Sequence, residues 1–423
     1  MKRKIAMLMT MVLLLSTLQM NFAFADDETD AAIDSVNNEA VSADDEAAEN
    51  TEDTNVAENN ADETKTMKLS MDDAVKLAKE SSREMWKIDD GLKEIKESRR
   101  DASKAKDTAE MIMGLSLDQL SGIKSATGVN PISDYLSTLM AKNGYYITYA
   151  DTKTKEIEKN RDLLNIGIEI ETKSLYYQVL VSEKTIEVNQ GNLSKAEEQL
   201  RVINLKFNNG SATKAEVLNG QMAVQSAQTD LDSSKDDLEV AKLNLLNKID
   251  LPFDTDITLT DKELNYIPTV DINLDDALEK AKTDRPEILT AQNNLELQKI
   301  ETHVYTSYYT SNLRENKAAV EKLKDAELNV PQAYKDVELD VRKSYLNLVK
   351  AERALVNMDK TVELAKESSR INKLLYENGM AASTDVLVAD TNLAQAEIGR
   401  YQLLVSYNIS KMMFDNSNLI GSK

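Results

Sequence analysis

An internal repeat is the feature that most constrains this chain of 423 residues. The stretch FNNGSATKAEVL beginning at Phe207 returns as YENGMAASTDVL beginning at Tyr376, an offset of 169 residues. A second match, MDDAVKLAK from Met71 against LDDALEKAK from Leu274, has an offset of 203 residues. A unit that occurs twice is expected to fold twice and to pack against its copy, since one such unit rarely buries its apolar face alone.

The two offsets differ by 34 residues, so the first copy carries an insertion of that size between its two matching blocks. We expect the insertion at 114–152, because residues that interrupt helices are concentrated there. These residues are Gly114, Gly122, Gly128, Pro131 and Gly144.

Within each copy, apolar and small residues recur at alternating steps of four and three, which keeps them on one face of a helix. The pattern predicts two continuous helical arms per copy, each roughly 50 Å long at about 1.5 Å per residue. Gly210 and Gly379 stand where the arms reverse, and a glycine can adopt the left-handed backbone that ends a helix. Arg400 breaks the pattern in the last arm. In the first arm the face consists of Leu175, Val179, Ser182, Ile186, Asn189, Leu193, Ala196, Leu200, Ile203 and Phe207.

The sequence therefore predicts a mainly all-α fold of two tandem, long, antiparallel coiled-coil helical hairpins, with short or absent β segments. The first hairpin is expected at 66–250 and the second at 272–423, joined by an extended connector at 251–271 in which short strand pairing is possible. Ala, Ser and Asn on the seam bury modest apolar area, so we expect the hairpins, and several chains, to pack side by side. The alternative is a monomeric helical bundle without a further partner.

The first 25 residues are typical of a secretory signal peptide. Lys2, Arg3 and Lys4 precede an apolar run, and small residues lead to an expected cleavage after Ala25. A retained membrane anchor is the alternative, but the apolar run is shorter than the roughly 20 residues that a spanning helix needs. The chain is therefore predicted to be exported.

Residues 26–65 carry fifteen acidic side chains against one Lys and almost no large apolar residue. Such a segment cannot bury enough surface to offset its ordering entropy, so we expect a disordered acidic tether. Of the net charge of −22, the signal contributes +3 and the tether −14, which leaves −11 for the rest. This mildly acidic remainder gives no reason to expect nucleic acid as a partner.

Residues that carry enzymatic chemistry are scarce. The chain contains no Cys, and His303 is its only His, so neither a His-based triad nor a site with several His ligands can form. Adjacent carboxylates such as Asp72 and Asp73 point apart on a helix. No phosphate-binding glycine loop is present. We therefore expect a protein that is not an enzyme, with no catalytic, cofactor-binding or metal site and no cofactor.

Six tyrosines cluster in the two regions that link the helices away from Gly210 and Gly379. At that end of the molecule they could contact lipid headgroups or another surface partner. Equally, they could fill the end of the helical bundle. The six residues are Tyr145, Tyr146, Tyr149, Tyr305, Tyr308 and Tyr309.

With these motifs laid out, the chain resembles the TolC-like outer-membrane efflux family from Leu69 to the C-terminus. The family pattern of an aromatic residue, two residues, Gly, a short polar gap and Asp-Val-Leu is supplied by the second copy. Its opening pattern, Leu-x-Leu-Asp-x-Ala, is matched in both copies. The matching residues are Tyr376, Gly379, Asp385, Val386 and Leu387, then Leu69, Met71, Asp72 and Ala74, and Ile272, Leu274, Asp275 and Ala277.

The resemblance implies a homotrimer whose hairpins form a tapering tube for passive export of solutes or drugs. It also implies that the hairpin tips close the tube and contact a periplasmic adaptor of the membrane fusion type, which docks to an inner-membrane transporter. The implied adaptor contacts are Asn209, Gly210, Ser211, Asn378, Gly379 and Met380. The implied acidic constriction of the pore falls on Glu216, Asp385 and Asp390, although a helix-terminal role for Asp385 is an equal alternative.

One departure from the family concerns its β-barrel. The best strand candidates, YYITYA from Tyr145 and HVYTSYYTS from His303, are shorter than a spanning strand or give way to charged helical sequence. We therefore expect a divergent member with reduced or missing barrel strands. It would lie in the cell envelope, either in the outer membrane and periplasm or in the wall zone of a cell without an outer membrane. The alternative function is a secreted helical scaffold or adaptor-like spacer without a pore.

Overall fold

Long α-helices dominate the structure, a computed structural model that describes residues 67–116, 119, 135–262, 266, 268–269 and 272–421. The predicted signal peptide and acidic tether lie outside these residues. The elements are β1 (Met67–Leu69), α1 (Met71–Glu80), α2 (Arg83–Met113), α3 (Tyr135–Lys142), α4 (Tyr145–Asn208), α5 (Lys214–Lys248), β2 (Ile257–Leu259), α6 (Leu274–Asp284), α7 (Pro286–Tyr308), α8 (Arg314–Glu377) and α9 (Ser383–Asp415).

The repeat governs the lengths of these helices. α4 and α8 both contain 64 residues and begin 169 residues apart, as do α5 and α9. The start of α1 precedes that of α4 by 74 residues, whereas the start of α6 precedes that of α8 by only 40. The 34 extra residues of the first copy lie in a longer α2 and in the segment 114–144.

Two antiparallel hairpins form the half of the structure that contains Gly210 and Gly379. α4 pairs with α5, α8 pairs with α9, and α4 also packs against α9. The four helices therefore stand in the order α5, α4, α9, α8. In the other half, α4 packs against α2 and α7, and α8 packs against α7. The predicted all-α fold of two tandem helical hairpins is confirmed.

The apolar core is thick at one level of the hairpins and thin towards their turns. Two larger clusters surround Tyr176 in the first copy and Leu348 in the second. Beyond them, two small clusters reach towards the turns. Their buried members are Leu193, Ala196, Ala227 and Leu231 in the first hairpin, and Val362, Leu393 and Ala396 in the second.

The connector contributes one of the two short strands. β2 pairs in parallel with β1, with Met67 opposite Ile257 and Leu69 opposite Leu259. The buried Tyr176 of α4 ties the pair down, because its hydroxyl donates to the carbonyl of Leu69 at 3.1 Å and accepts from the amide of Asp261 at 3.2 Å. The short strand pairing considered from the sequence is thus present between the start of the first copy and the connector.

The stretches that offered the best strand candidates are helical instead. YYITYA opens α4, and most of HVYTSYYTS ends α7, after which a short turn leads into α8. Within the described residues the only strands are β1 and β2, in agreement with the expected scarcity of β structure. No helix in this part of the chain is both long and apolar enough for a membrane span.

Two details of the predicted seam are corrected. Phe207 was placed on the buried face, yet it is exposed, whereas its repeat partner Tyr376 is buried where the two hairpins meet. Arg400, which breaks the seam in α9, forms an ion pair with Asp359 of α8 across the helix pair. The seam therefore tolerates a charge because the opposite helix supplies a carboxylate.

Arg285 holds the second copy together in a way that the periodicity does not predict. It lies between α6 and α7, its side chain is 1% exposed, and its guanidinium forms ion pairs with Asp340 of α8 and with Glu287. A Cβ on Gly421 would lie 3.4 Å from both Arg285 and Asp340, so the C-terminal segment covers this pair. A buried cation of this kind is costly to leave unpaired.

We predict that Arg285→Ala lowers the free energy of unfolding by about 3 kcal/mol, because it leaves the half-buried Asp340 without its cation. The matched control is Arg342→Ala, which removes an exposed ion pair with Glu338 within α8 and is expected to cost less than about 0.5 kcal/mol. Denaturant unfolding of both variants measures the difference. Equal losses would contradict a latch at Arg285.

Candidate functional site

The two hairpin turns are built alike. In the first, Gly210 has φ of 75°, its amide donates to Phe207 O at 3.0 Å, and the Ser211 amide donates to Lys206 O at 2.8 Å. In the second, Gly379 has φ of 73° and the equivalent bonds measure 3.1 and 2.8 Å. This pair of bonds ends a helix by satisfying its last carbonyl groups, and it needs a left-handed residue at the glycine position.

The helices that follow the turns begin differently. In the first hairpin the Thr213 hydroxyl accepts from the Glu216 amide, and the Glu216 carboxylate accepts from the Thr213 amide at 2.6 Å. In the second hairpin Ala382 stands at the threonine position, so only half of this arrangement remains. There the Asp385 carboxylate accepts from the Ala382 amide at 2.9 Å. Such bonds stabilise the exposed amides at a helix N-terminus.

These bonds account for two of the three predicted constriction residues. Glu216 and Asp385 act as helix caps, which is the helix-terminal alternative considered for Asp385. Asp390 lies deeper, where it accepts from the Ser369 hydroxyl at 2.5 Å and lies 3.8 Å from the ammonium of Lys195 in the first hairpin. All three carboxylates lie near the turns, but the structure joins each to local partners and not to one another.

The turns contact each other through residues that the sequence did not single out. The Lys206 ammonium stands 3.5 Å from the centre of the Tyr376 ring and donates to the Tyr376 carbonyl. Such a cation–π contact favours one relative position of the two turns. Lys195 and Asp390 form a second link two to three helical turns away. The offset of 169 pairs Phe207 with Tyr376, but it contains no information on which lysine lies between the copies.

All six predicted tip residues are exposed, and the Lys206–Tyr376 contact places them at the same end of the structure. We call Asn209–Ser211 and Asn378–Met380 the tips. Large apolar side chains are also exposed around them, at Leu205, Leu218, Met222, Leu374 and Val388 in addition to Met380. Exposed apolar groups concentrated at one end are typical of a contact surface for another protein.

The opposite end carries the tyrosine cluster. Tyr308 contacts Tyr135 and Tyr309 with ring centres 5.6 and 4.7 Å apart, so rings from α3 and α7 meet there. Burial, with a smaller effect of the Glu301 carboxylate, raises the pKa of Tyr145 to about 12. Tyr145 therefore packs as a neutral ring, which fits the filling of the bundle end. Tyr135 and Tyr308 remain exposed and could contact a surface.

Comparison with known proteins gives matches in structure alone. No protein-family model and no curated protein sequence matches the chain. The crystal structure of CusC matches with a TM-score of 0.62 at 10% identity, over 83% of this chain and 92% of CusC. VceC of Vibrio cholerae matches with a TM-score of 0.58 at 14% identity, over 84% and 97%. The open state of MtrE of Neisseria gonorrhoeae gives 0.57 at 13%, over 82% and 88%.

All three are membrane proteins, and CusC and MtrE are channels. The chain has the TolC-like fold. The resemblance predicted from the tip motifs is thereby confirmed as a likeness of fold. The neighbours that carry this TolC-like fold are channel proteins and not enzymes. In the described residues no three His, Cys, Asp or Glu side chains come together as a metal site would require.

The glycine at the first TolC-like tip provides a test of the turn. Gly210→Ala should lower the free energy of unfolding by about 1 kcal/mol, because an L-residue is strained in the left-handed region. Gly191→Ala is the matched control, since Gly191 lies within α4 with open space around it and Ala is the better helix former. Thermal unfolding followed by circular dichroism should move in opposite directions for the two variants. A stabilising Gly210→Ala would contradict the turn geometry.

Glu216 should make the first tip sensitive to pH. Its hydrogen bonds from the Thr213 amide and hydroxyl lower its pKa below the usual 4.5. A lowered pKa in the folded state stabilises the tip above the unfolded pKa, and this contribution is lost as pH falls through the folded value. Hydrogen exchange of the Thr213 amide, corrected for intrinsic rates, should therefore show less protection below pH of about 4. Glu216→Gln should remove this pH dependence.

Proposed function

We propose that the chain forms an export duct in the cell envelope. Copies of it, expected to be three, assemble around a hollow axis, and solute passes through passively. The observation that carries this proposal is the pair of equivalent turns, exposed at one end of a fold shared with outer-membrane channels. A duct needs chemistry at its ends and along its wall, which agrees with the scarcity of catalytic residue types in the sequence.

The tips are proposed to dock an adaptor of the membrane fusion type, which in turn contacts an inner-membrane transporter. Support comes from the exposure of all six tip residues and of the apolar side chains around them. The rigid turns hold this surface in a fixed geometry, which lowers the ordering cost of binding. Glu216, Asp385 and Asp390 remain proposed constriction residues on the strength of their position near the tips.

The proposed location is outside the cytoplasm, by way of the N-terminal signal, in the outer membrane and periplasm or in the wall zone of a cell without an outer membrane. The tyrosine end, opposite the tips, is proposed to contact a membrane or the wall. Exposed Tyr135 and Tyr308 support this contact, because tyrosine rings favour boundaries between apolar and aqueous phases.

A secreted helical scaffold without a pore is the alternative proposal. It predicts monomers or dimers of the purified protein, and no change in solute sensitivity when the gene is deleted. The duct predicts a closed oligomer and accumulation of solute in the deleted strain. Neighbouring genes for a transporter and a hairpin adaptor would favour the duct.

Met380→Asp tests the tips. Met380 is 70% exposed, so the substitution should leave folding and assembly intact while it places a charge on the apolar docking surface. We expect export of a fluorescent dye from cells carrying only the variant to fall at least tenfold, and adaptor pull-down to be lost.

Phe253→Asp is the matched control. Phe253 is a similarly exposed apolar residue, 62% accessible, but it lies in the connector away from the tips. It should leave export unchanged. Full export by Met380→Asp, with the variant present at wild-type level, would refute docking at the tips.

A further inference from the structure

Two helices in the tip half of the structure have a neighbour on one side only. In the order α5, α4, α9, α8, the inner helices α4 and α9 pack on both sides, whereas α5 and α8 form the edges. Both edge helices carry apolar side chains on the outer face. At 3.6 residues per turn, those of α8 lie within about 40° of one another and those of α5 within about 60°. They are Leu328, Leu339, Leu346, Leu364 and Ile371 on α8, and Leu218, Met222, Val240 and Leu243 on α5.

The two outer faces carry opposite charges between these apolar residues. The face of α8 is basic, and the face of α5 is acidic. Apart from Asp232, none of these charged residues forms an ion pair with another described residue. The exposed cations are Lys343, Lys350, Arg353 and Lys360, and the exposed anions are Asp232, Asp236 and Glu239. Complementary charge on two bare edges of one chain indicates that the edges fit each other in separate copies.

The contact between the hairpins inside one chain gives the register of that fit. Where α4 packs against α9, Lys195 lies opposite Asp390 and Lys184 lies over the ring of Tyr401. The two residue numbers add to 585 in both pairs, as expected for antiparallel helices in one fixed register. α4 and α9 are thus the internal example of the contact that α8 and α5 lack.

The repeat transfers this register to the edges. Residues 169 later than α4 are α8, and residues 169 earlier than α9 are α5. Lys195 and Asp390 become Leu364 and Gln221, while Lys184 and Tyr401 become Arg353 and Asp232.

In this register like meets like along the apolar faces and opposite meets opposite along the charged ones. Leu364 falls beside Met222, and Leu346 falls beside Val240. Arg353 falls opposite Asp232, and the next cation towards the N-terminus of α8, Lys350, falls beside Asp236. A shift by one helical turn would move Arg353 out of line with Asp232, so the match selects one register.

We propose that α8 of one copy packs antiparallel against α5 of a second copy in this register, with Arg353 paired to Asp232 and Leu364 against Met222. The inference deepens the proposed function by identifying the surface through which copies join, and it rests on that function only for the closure of the ring. The interface is heterologous, because the edge that one copy offers differs from the edge that it receives.

Cysteine cross-linking of the full chain tests the register, because the natural chain contains no Cys. The pair Met222→Cys with Leu364→Cys is substituted at side chains that are 71% and 73% exposed, so folding should not change. Within one chain α4 and α9 separate the two positions by roughly 25 Å, so a short bismaleimide can join them only between copies. We expect a ladder of covalent oligomers.

Met222→Cys with Leu346→Cys is the matched control. Leu346 lies on the same face of α8 but about 27 Å further along the helix. We expect its cross-linked fraction to be at least tenfold smaller. A cross-linked fraction equal to that of the first pair, or no cross-linking of the first pair in a sample that is oligomeric by light scattering, would overturn the register.

Charge exchange at the same contact is an independent test. Arg353→Asp alone and Asp232→Arg alone should each lower the cross-linked fraction about fivefold, and the double exchange should restore it. Arg201→Asp, which breaks an exposed pair within α4, should have no effect. Failure of the double exchange to restore cross-linking would contradict the Arg353–Asp232 pair.

The outcomes separate this inference from the proposed duct. A ladder that ends at three copies supports both. An unlimited ladder supports the register but contradicts a closed ring, because the same heterologous contact then forms a filament. Cross-linking in register with no effect of gene deletion on dye export would contradict the duct alone.

Discussion

The thin apolar seam between the helical arms is the constraint on which the rest of the structure depends. Each of α4 and α8 extends through 64 residues, about 96 Å of helix. Along the half near the tips, the buried residues are few and several are alanine. At roughly 25 cal/mol per Å² of buried apolar surface, such a seam stabilises a hairpin weakly. The polar links between hairpins, Lys195 to Asp390 and Lys206 to Tyr376, lie where the core is thinnest.

The parts of the fold that the sequence predicts are those with a period or a required backbone conformation. The repeat offset predicts two copies, and the steps of four and three predict continuous helices. Gly210 and Gly379 predict the turns because few other residues adopt a positive φ without strain. The two short strands depend on contacts between β1 and the connector, about 190 residues apart, so the sequence indicated only that strand pairing was possible there.

The parts that were missed depend on how distant segments are placed beside one another. Arg285 meets Asp340 across 55 residues, and Lys206 meets Tyr376 across 170. Neither separation follows from a helical period, because each depends on the packing of a second element. Phe207 and Tyr376 illustrate the same limit: the repeat makes them equivalent, but only one of them faces the other hairpin. At the candidate site, the sequence located the tips but not the links between them.

The two copies differ most where the repeat would otherwise build the same contact twice. Lys184 meets Tyr401 inside the chain, but their equivalents are Arg353 and Asp232, an ion pair in place of a cation–π contact. If both contacts used the same side chains, either hairpin of one copy could join either hairpin of another. The difference in charge makes the outer edge of α8 a poor partner for a second α8. Association is then directional, and only the rotation between successive copies decides whether it closes into a ring.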